Sequence, residues 1–196
     1  MITAKIVKSL WGSMEKKFGS STMQKDDSLL MAAIAEFLSF AGIPGMQEKE
    51  KFLHGFVTTL GKRIYIPFLV GDTSTGWDLW SQIKVCVHEH QHIIQGGRDG
   101  WITFGKRYLT SSTHRAAYEA EAYGCDMEME YWRTGNMLDP AELANKLIGY
   151  GCSKEDAEMA HKILGIRADM LVNGGIENMS SIIAIEFLDS MLMGLN

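Results

Sequence analysis

Apolar residues along most of this chain recur with the 3.6-residue period of an α-helix. The runs predict helices near residues 2–17, 27–42, 46–60, 79–95, 113–134 and through most of 137–196. Asp78 is expected to cap the fourth of these helices and Gly96-Gly97 to end it. Ser153 with Asp156 resembles the capping box that begins a helix in the tail. The chain is therefore predicted to be mostly helical.

One segment instead shows the period-two alternation of a β-strand, GKRIYIPF at residues 61–68. Its two faces carry Ile64, Ile66 and Phe68 on one side and Arg63, Tyr65 and Pro67 on the other. Pro67 has no N–H to donate, so this strand is expected at a sheet edge or to end there. A further short strand or hairpin is predicted at 101–109. These elements predict an α+β fold with a small sheet.

The predicted helix at 79–95 contains three histidines within five positions. At about 100° per residue, His88 and His92 lie on one face with Glu89 at its flank. His90 instead lies among the apolar residues of the opposite face. We therefore expect His90 to be a buried, neutral histidine that takes no part in ligand binding.

Residues 88–92 match the pattern H-E-x-x-H. Two imidazoles one helical turn apart can share one tetrahedral Zn²⁺, and the glutamate after the first histidine is directed at a water on the metal. His88 and His92 are thus candidate metal ligands. Glu89 is the candidate catalytic base.

At these residues the sequence resembles the zincin metallopeptidases, whose fold places a strand before an HExxH helix. The metzincin branch would require glycine and histidine where this chain has Gln95 and Arg98. The gluzincin branch takes its third ligand from a glutamate on a later helix, often within E-x-x-A-D or E-x-x-S-D. The segment RAAYEAEAYGCDMEME at 115–130 offers such a glutamate. The resemblance covers roughly residues 60 to 134.

The gluzincin resemblance implies Glu119 as the third zinc ligand, because it begins E-x-x-A in this segment. Glu121 is the reserve, although it points about 160° away on the same helix. The acid that usually ends the motif is replaced here by Tyr123. Asp126, one turn further along the Glu119 face, can take over the orientation of a ligand histidine.

The resemblance implies a zinc-dependent peptidase that cleaves peptide or protein substrates through a water activated by Glu89. Its substrate would lie extended along an edge strand, for which residues 62–68 are the candidate. Several side chains are candidates to stabilise the oxyanion: Tyr108, His114, Arg115, Tyr118 and Tyr123.

Two other functions stay open. One is a zincin-like protein that binds a metal or a partner without cleaving peptides, which the Tyr123 departure favours. The other is a helical interaction protein in which HExxH is a coincidence. The metal content of the purified protein distinguishes the helical interaction protein from the two metal-binding functions. Proteolysis by a Glu89→Gln variant distinguishes a peptidase from a non-catalytic relative.

Charge and cysteine spacing indicate which partners and which compartment to expect for this protein. A net charge of −5 gives no basis for expecting nucleic acid. The three cysteines have no paired spacing, which is typical of reduced thiols, and no signal peptide or transmembrane segment is evident. We expect a cytoplasmic protein.

The chain is predicted to form a single domain over residues 1–196, with an N-terminal helical segment (1–58), a zincin-like core (59–136) and a C-terminal helical segment (137–196). The first helix has one apolar face, formed by Ile6, Val7, Leu10, Trp11 and Met14. This face is expected to pack on the domain itself. The alternative is peripheral contact with a membrane surface.

Overall fold

The computed structural model describes residues 1–29, 31–32 and 53–193. Its helices are α1 (Ala4–Phe18), α2 (Leu79–Asp99), α3 (Trp101–Thr110), α4 (Ser112–Thr134), α5 (Pro140–Gly149), α6 (Lys154–Val172) and α7 (Met179–Met193). Its strands are β1 (Ser21–Gln24), β2 (Thr58–Leu60) and β3 (Arg63–Ile66). This part of the chain is mostly helical with one small sheet, in agreement with the predicted α+β class.

The helices whose ends carry strong capping signals agree with the sequence. Ser153 and Asp156 form the predicted capping box at the start of α6. Asp78 caps α2 by accepting the N–H groups of Trp80 and Ser81. The predicted helix at 27–42 lies mostly outside the described residues, as does residue range 46–52.

The sheet has the order β1-β3-β2, with β1 parallel and β2 antiparallel to β3. The strand predicted at 61–68 is confirmed, and it ends just before Pro67. Of the two positions that Pro67 allowed, the strand end is confirmed and the sheet edge is not, because β3 is the central strand of the described sheet. Residues 62–68 are therefore not the edge on which a substrate would pair.

One stretch predicted to be a helix is a strand, and another strand lies between two predicted helices. β2 occupies residues 58–60, at the end of the helix predicted for 46–60, and β1 lies within the predicted N-terminal helical segment. Pairing with β3 explains both strands, because the neighbours of Ile64 in the sheet are Thr22 of β1 and Thr59 of β2. Threonine favours strands once a partner strand is available, and that partner is not visible in local sequence.

Helix α2 does not end at Gly96-Gly97 but continues to Asp99. A Cβ at Gly96 would overlap the ring of Trp101, whereas a Cβ at Gly97 would meet nothing within 4 Å. Gly96 therefore allows the Trp101 ring to approach α2 closely.

The strand or hairpin predicted at 101–109 is wrong, since these residues belong to α3. Trp101, Phe104 and Tyr108 are spaced so that a helix turns all three toward α2 and α4. Phe104 is buried and packs against the Tyr118 ring at 4.7 Å between centroids. Packing of this aromatic face outweighs the strand propensity of the segment.

Helix α1 packs its apolar face into the main core, where all five predicted residues are no more than 2% exposed. The core also contains β3, the back of α2 and the inner face of α7. This face of α1 is thereby covered by the protein itself. No helix in the described ranges has the length and apolarity to cross a membrane.

The two adjacent glycines of α2 give a matched test of this packing. We expect Gly96→Ala to destabilise the protein by about 1–3 kcal/mol, because the Trp101 ring must move. Gly97→Ala should instead stabilise it by roughly 0.5–1 kcal/mol through helix propensity. Urea unfolding followed by circular dichroism measures both. Equal effects of the two substitutions would contradict the close contact between α2 and Trp101.

Candidate metal centre

Helices α2 and α4 bring three predicted ligands together. His88 and His92 lie one turn apart on α2, and Glu119 lies on the facing side of α4. The His88 Nε2 is 3.5 Å from Glu119 Oε2, and the His92 Nε2 is 3.4 Å from Glu119 Oε1. All three residues are buried, and their donor atoms lie within 4.8 Å of one another. The group could hold a metal ion.

The spacing of these atoms is compatible with a metal ion bound between them. Donor atoms about 2.0–2.1 Å from a tetrahedral ion lie roughly 3.4 Å from each other. The two nitrogen–oxygen separations of 3.4 and 3.5 Å are close to that value. Glu119 Oε2 is also buried with no hydrogen-bond partner among the described residues. A cation bound at this point would supply the missing partner.

The other nitrogen of each imidazole has a polar partner that orients the ring. His88 Nδ1 lies 3.4 Å from the carboxylate of Asp126. His92 Nδ1 donates to Gln95 Oε1 at 2.8 Å, and the Gln95 amide donates to the Tyr118 carbonyl at 2.9 Å. Such contacts direct the Nε2 atoms toward a common point. Asp126 thus lies where it was expected to replace the acid missing at Tyr123.

Burial and neighbouring charges shift the pKa values of the three residues in opposite directions. Burial alone would lower the pKa of His88 and of His92. The carboxylates of Asp126 and Glu119 outweigh burial for His88, and Glu119 does so for His92, so both pKa values are raised. Burial would raise the pKa of Glu119, but the two imidazoles hold it well below its usual range.

Glu89, the predicted catalytic base, is 7% exposed on the flank of the same helix. Thr59 of β2 donates its hydroxyl to Glu89 Oε2 at 2.6 Å. The negative charge of Glu89 contributes to the raised pKa of His92. The base therefore lies close to the cluster, and one of its two oxygens is fixed by the sheet.

Glu121, the reserve ligand, lies outside the cluster. Its carboxylate accepts from the Gln91 amide at 2.7 Å and pairs with Arg98 at 3.0 Å. Its partners on α2 are thus two residues that do not belong to the cluster. Of the two glutamates, the structure brings only Glu119 to the histidines.

The five oxyanion candidates separate into two groups. Tyr108 donates its hydroxyl to Glu119 Oε1 at 2.5 Å, and the Tyr123 ring lies 5.3 Å from that of His88. Arg115 lies over the Tyr108 ring at 5.8 Å. Tyr118 donates to Asp99 instead, and His114 is exposed at the start of α4, where it contacts Ser111. Tyr108 and Tyr123 contact the cluster directly.

His90 is fully buried on the opposite face, as predicted. Its Nδ1 donates to the Cys86 carbonyl at 2.6 Å, and its Nε2 accepts from the Ser20 hydroxyl at 2.9 Å. Burial lowers its pKa to about 4, so the ring is neutral. The rings of Trp11 and Phe18 pack around it.

Sequence reasoning missed three residues near the cluster. Thr59 was assigned to a helix, and Lys25 and Tyr150 lie outside the predicted core. Lys25 is 1% exposed, and burial lowers its pKa to about 7, although Glu89 raises it. Burial and the charge of Glu119 raise the pKa of Tyr150. Only tertiary packing brings these residues to the site, so no local pattern marks them.

No protein-family model, curated protein or solved structure matches this chain.

The helical phase makes a prediction about His90. We expect His90→Phe to retain the bound metal, because His90 faces away from the cluster, and to lose about 1–3 kcal/mol of stability with its hydrogen bonds. His92→Phe is the matched control and should lose the metal. Elemental analysis and urea unfolding measure the two effects. Metal loss from a folded His90→Phe protein would show that the assigned face is wrong.

The raised histidine pKa values predict a pH-dependent metal affinity. A metal can bind only after both imidazoles lose their protons. Both pKa values lie above the usual histidine value near 6.5. As the pH is lowered, the metal affinity should therefore begin to fall while the pH is still above 6.5. Below that pH the affinity should drop by up to about 100-fold per pH unit. Competition with a chromophoric chelator between pH 8 and 5.5 measures this. His90→Phe should give the same curve, and an affinity independent of pH down to 6 would contradict the prediction.

Proposed function

We propose that this protein is a zinc-dependent peptidase of the gluzincin type. The observation that carries the proposal is the convergence of His88 and His92 Nε2 on the carboxylate of Glu119, with Glu89 beside them. Two imidazoles and one carboxylate form a catalytic zinc set that leaves a fourth position open for water or substrate. The order of these residues along α2 and α4 is that of the family which the sequence resembles.

His88, His92 and Glu119 would hold the ion, with Asp126 and Gln95 fixing the imidazoles. Zinc, when bound, polarises the scissile carbonyl and makes a water molecule more acidic. The chain supplies the remaining chemistry, which is proton transfer, charge stabilisation and substrate alignment.

Glu89 is the general base. Thr59 donates to its Oε2, and Oε1 would accept the proton from the attacking water. Water oxygen bonds to the scissile carbon as that proton moves to Glu89. The same carboxyl group then gives the proton to the leaving amine as the C–N bond breaks. Glu89 therefore returns to its ionised form at the end of each turnover.

A phenol from α3 or α4 would stabilise the oxyanion. Tyr108 lies beside a ligand carboxylate and donates its single O–H to Glu119 Oε1 at 2.5 Å, so it would have to exchange this acceptor for the oxyanion. Arg115 above its ring adds positive charge on that side of the cluster. A phenol turned to the oxyanion in this way would stabilise charge that develops in the transition state.

An extended peptide substrate would pair with β2. This strand forms an edge of the described sheet and contacts α2 through Thr59 and Glu89. Strand addition satisfies the backbone of both partners and aligns the scissile bond by register. The sheet thereby supplies the edge that residues 62–68 do not.

Replacing Glu89 tests the proposal. We expect Glu89→Gln to keep its metal, since three other residues hold it, and to lose about 10²–10⁴-fold in turnover because glutamine cannot accept a proton. Cleavage of a mixed peptide library, followed by mass spectrometry, measures turnover. Elemental analysis measures zinc.

Glu121→Gln is the matched control, because Glu121 contacts Gln91 and Arg98 outside the cluster. It should cleave at the wild-type rate. Equal cleavage by wild type and Glu89→Gln, with zinc present in both, would replace the peptidase by a non-catalytic metal-binding protein.

A further inference from the structure

We propose that Thr59 is a positioning residue that holds the carboxylate of Glu89 in its reactive orientation. This inference rests on the proposed function and assigns the edge strand β2 a second role besides substrate pairing. Its basis is the 2.6 Å hydrogen bond from the Thr59 hydroxyl to Glu89 Oε2, which joins two elements 30 residues apart.

The geometry makes this contact directional. Glu89 begins on the flank of α2, not at the centre of the ligand face, so its side chain has several rotamers available. Thr59 donates to one oxygen and leaves the other unoccupied by it. A hydrogen bond to an ionised acceptor is among the stronger ones in proteins, and here it lies in a site where Glu89 is only 7% exposed. This hydrogen bond therefore restricts the orientation of the carboxylate.

The sheet keeps Thr59 in place independently of Glu89. In the antiparallel pair Thr59 lies opposite Ile64 of the central strand. Ile64 is fully buried, so this position of β2 is anchored in the core. The hydroxyl is thus presented from a rigid element, which is what a preorganised site requires.

The test compares Thr59→Val, which removes the hydroxyl without changing shape, with Thr59→Ser, which keeps it. Thr22→Val is the matched control. Thr22 lies opposite the same Ile64 but on β1, on the other side of the central strand. All three are made in the full chain, with wild type alongside.

The first readout is the side-chain carboxyl ¹³C resonance of Glu89 in metal-free protein, assigned by its loss in Glu89→Gln. Thr59→Val should shift this resonance, and Thr59→Ser and Thr22→Val should leave it near its wild-type position. The second readout is library cleavage at full zinc occupancy. Thr59→Val should lower kcat by about 10- to 100-fold with little change in KM, and Thr59→Ser should restore most of it.

An unchanged Glu89 resonance in Thr59→Val would overturn the inference, and so would equal losses of kcat in Thr59→Val and Thr22→Val. Failure of the peptidase proposal has a different signature, which is the absence of any Glu89-dependent cleavage by wild type. In that case the carboxyl resonance alone decides whether Thr59 holds Glu89.

Discussion

The structure depends on one buried carboxylate, Glu119, held between two imidazoles. A carboxylate that is 2% exposed is strongly destabilising unless positive charge and hydrogen-bond donors surround it. His88 and His92 supply the charge, and Tyr108 supplies a donor. The contact fixes how α2 and α4 pack and turns α3 inward. A cation at the same point would compensate the charge without requiring protonated histidines.

Buried glutamines of α2 connect this helix to other parts of the fold, because each of them forms hydrogen bonds with a different partner. Gln82 accepts from the Gly71 N–H and donates to the carbonyls of Asp72 and Trp77, which fixes the loop before the helix. Gln91 joins Glu121 of α4 to Ser180 of α7. Gln95 supports His92. A helix with so many polar groups can be buried only because these groups are satisfied.

The small sheet acts from the opposite side of the site. Its central residue Ile64 lies between Thr22 of β1 and Thr59 of β2, and Thr59 donates to Glu89 of the HExxH motif. The sheet thus brings an edge strand and a hydroxyl donor to Glu89. Under the proposed function, this short strand would both align the substrate and orient Glu89.

The features that could be predicted from the sequence are those that depend on neighbours within a few residues. The i,i+4 relation put His88 and His92 on one face and His90 on the other, and capping residues marked the starts of α2 and α6. The gluzincin resemblance, through E-x-x-A, favoured Glu119 over Glu121. Three features depend on residues that are distant in the chain and appear only in the tertiary structure. They are the strands β1 and β2, the position of Gly96 inside α2 under the Trp101 ring, and the contact of Thr59 with Glu89. Those outcomes depend on the burial and pairing of residues far apart in the chain, which local periodicity does not record.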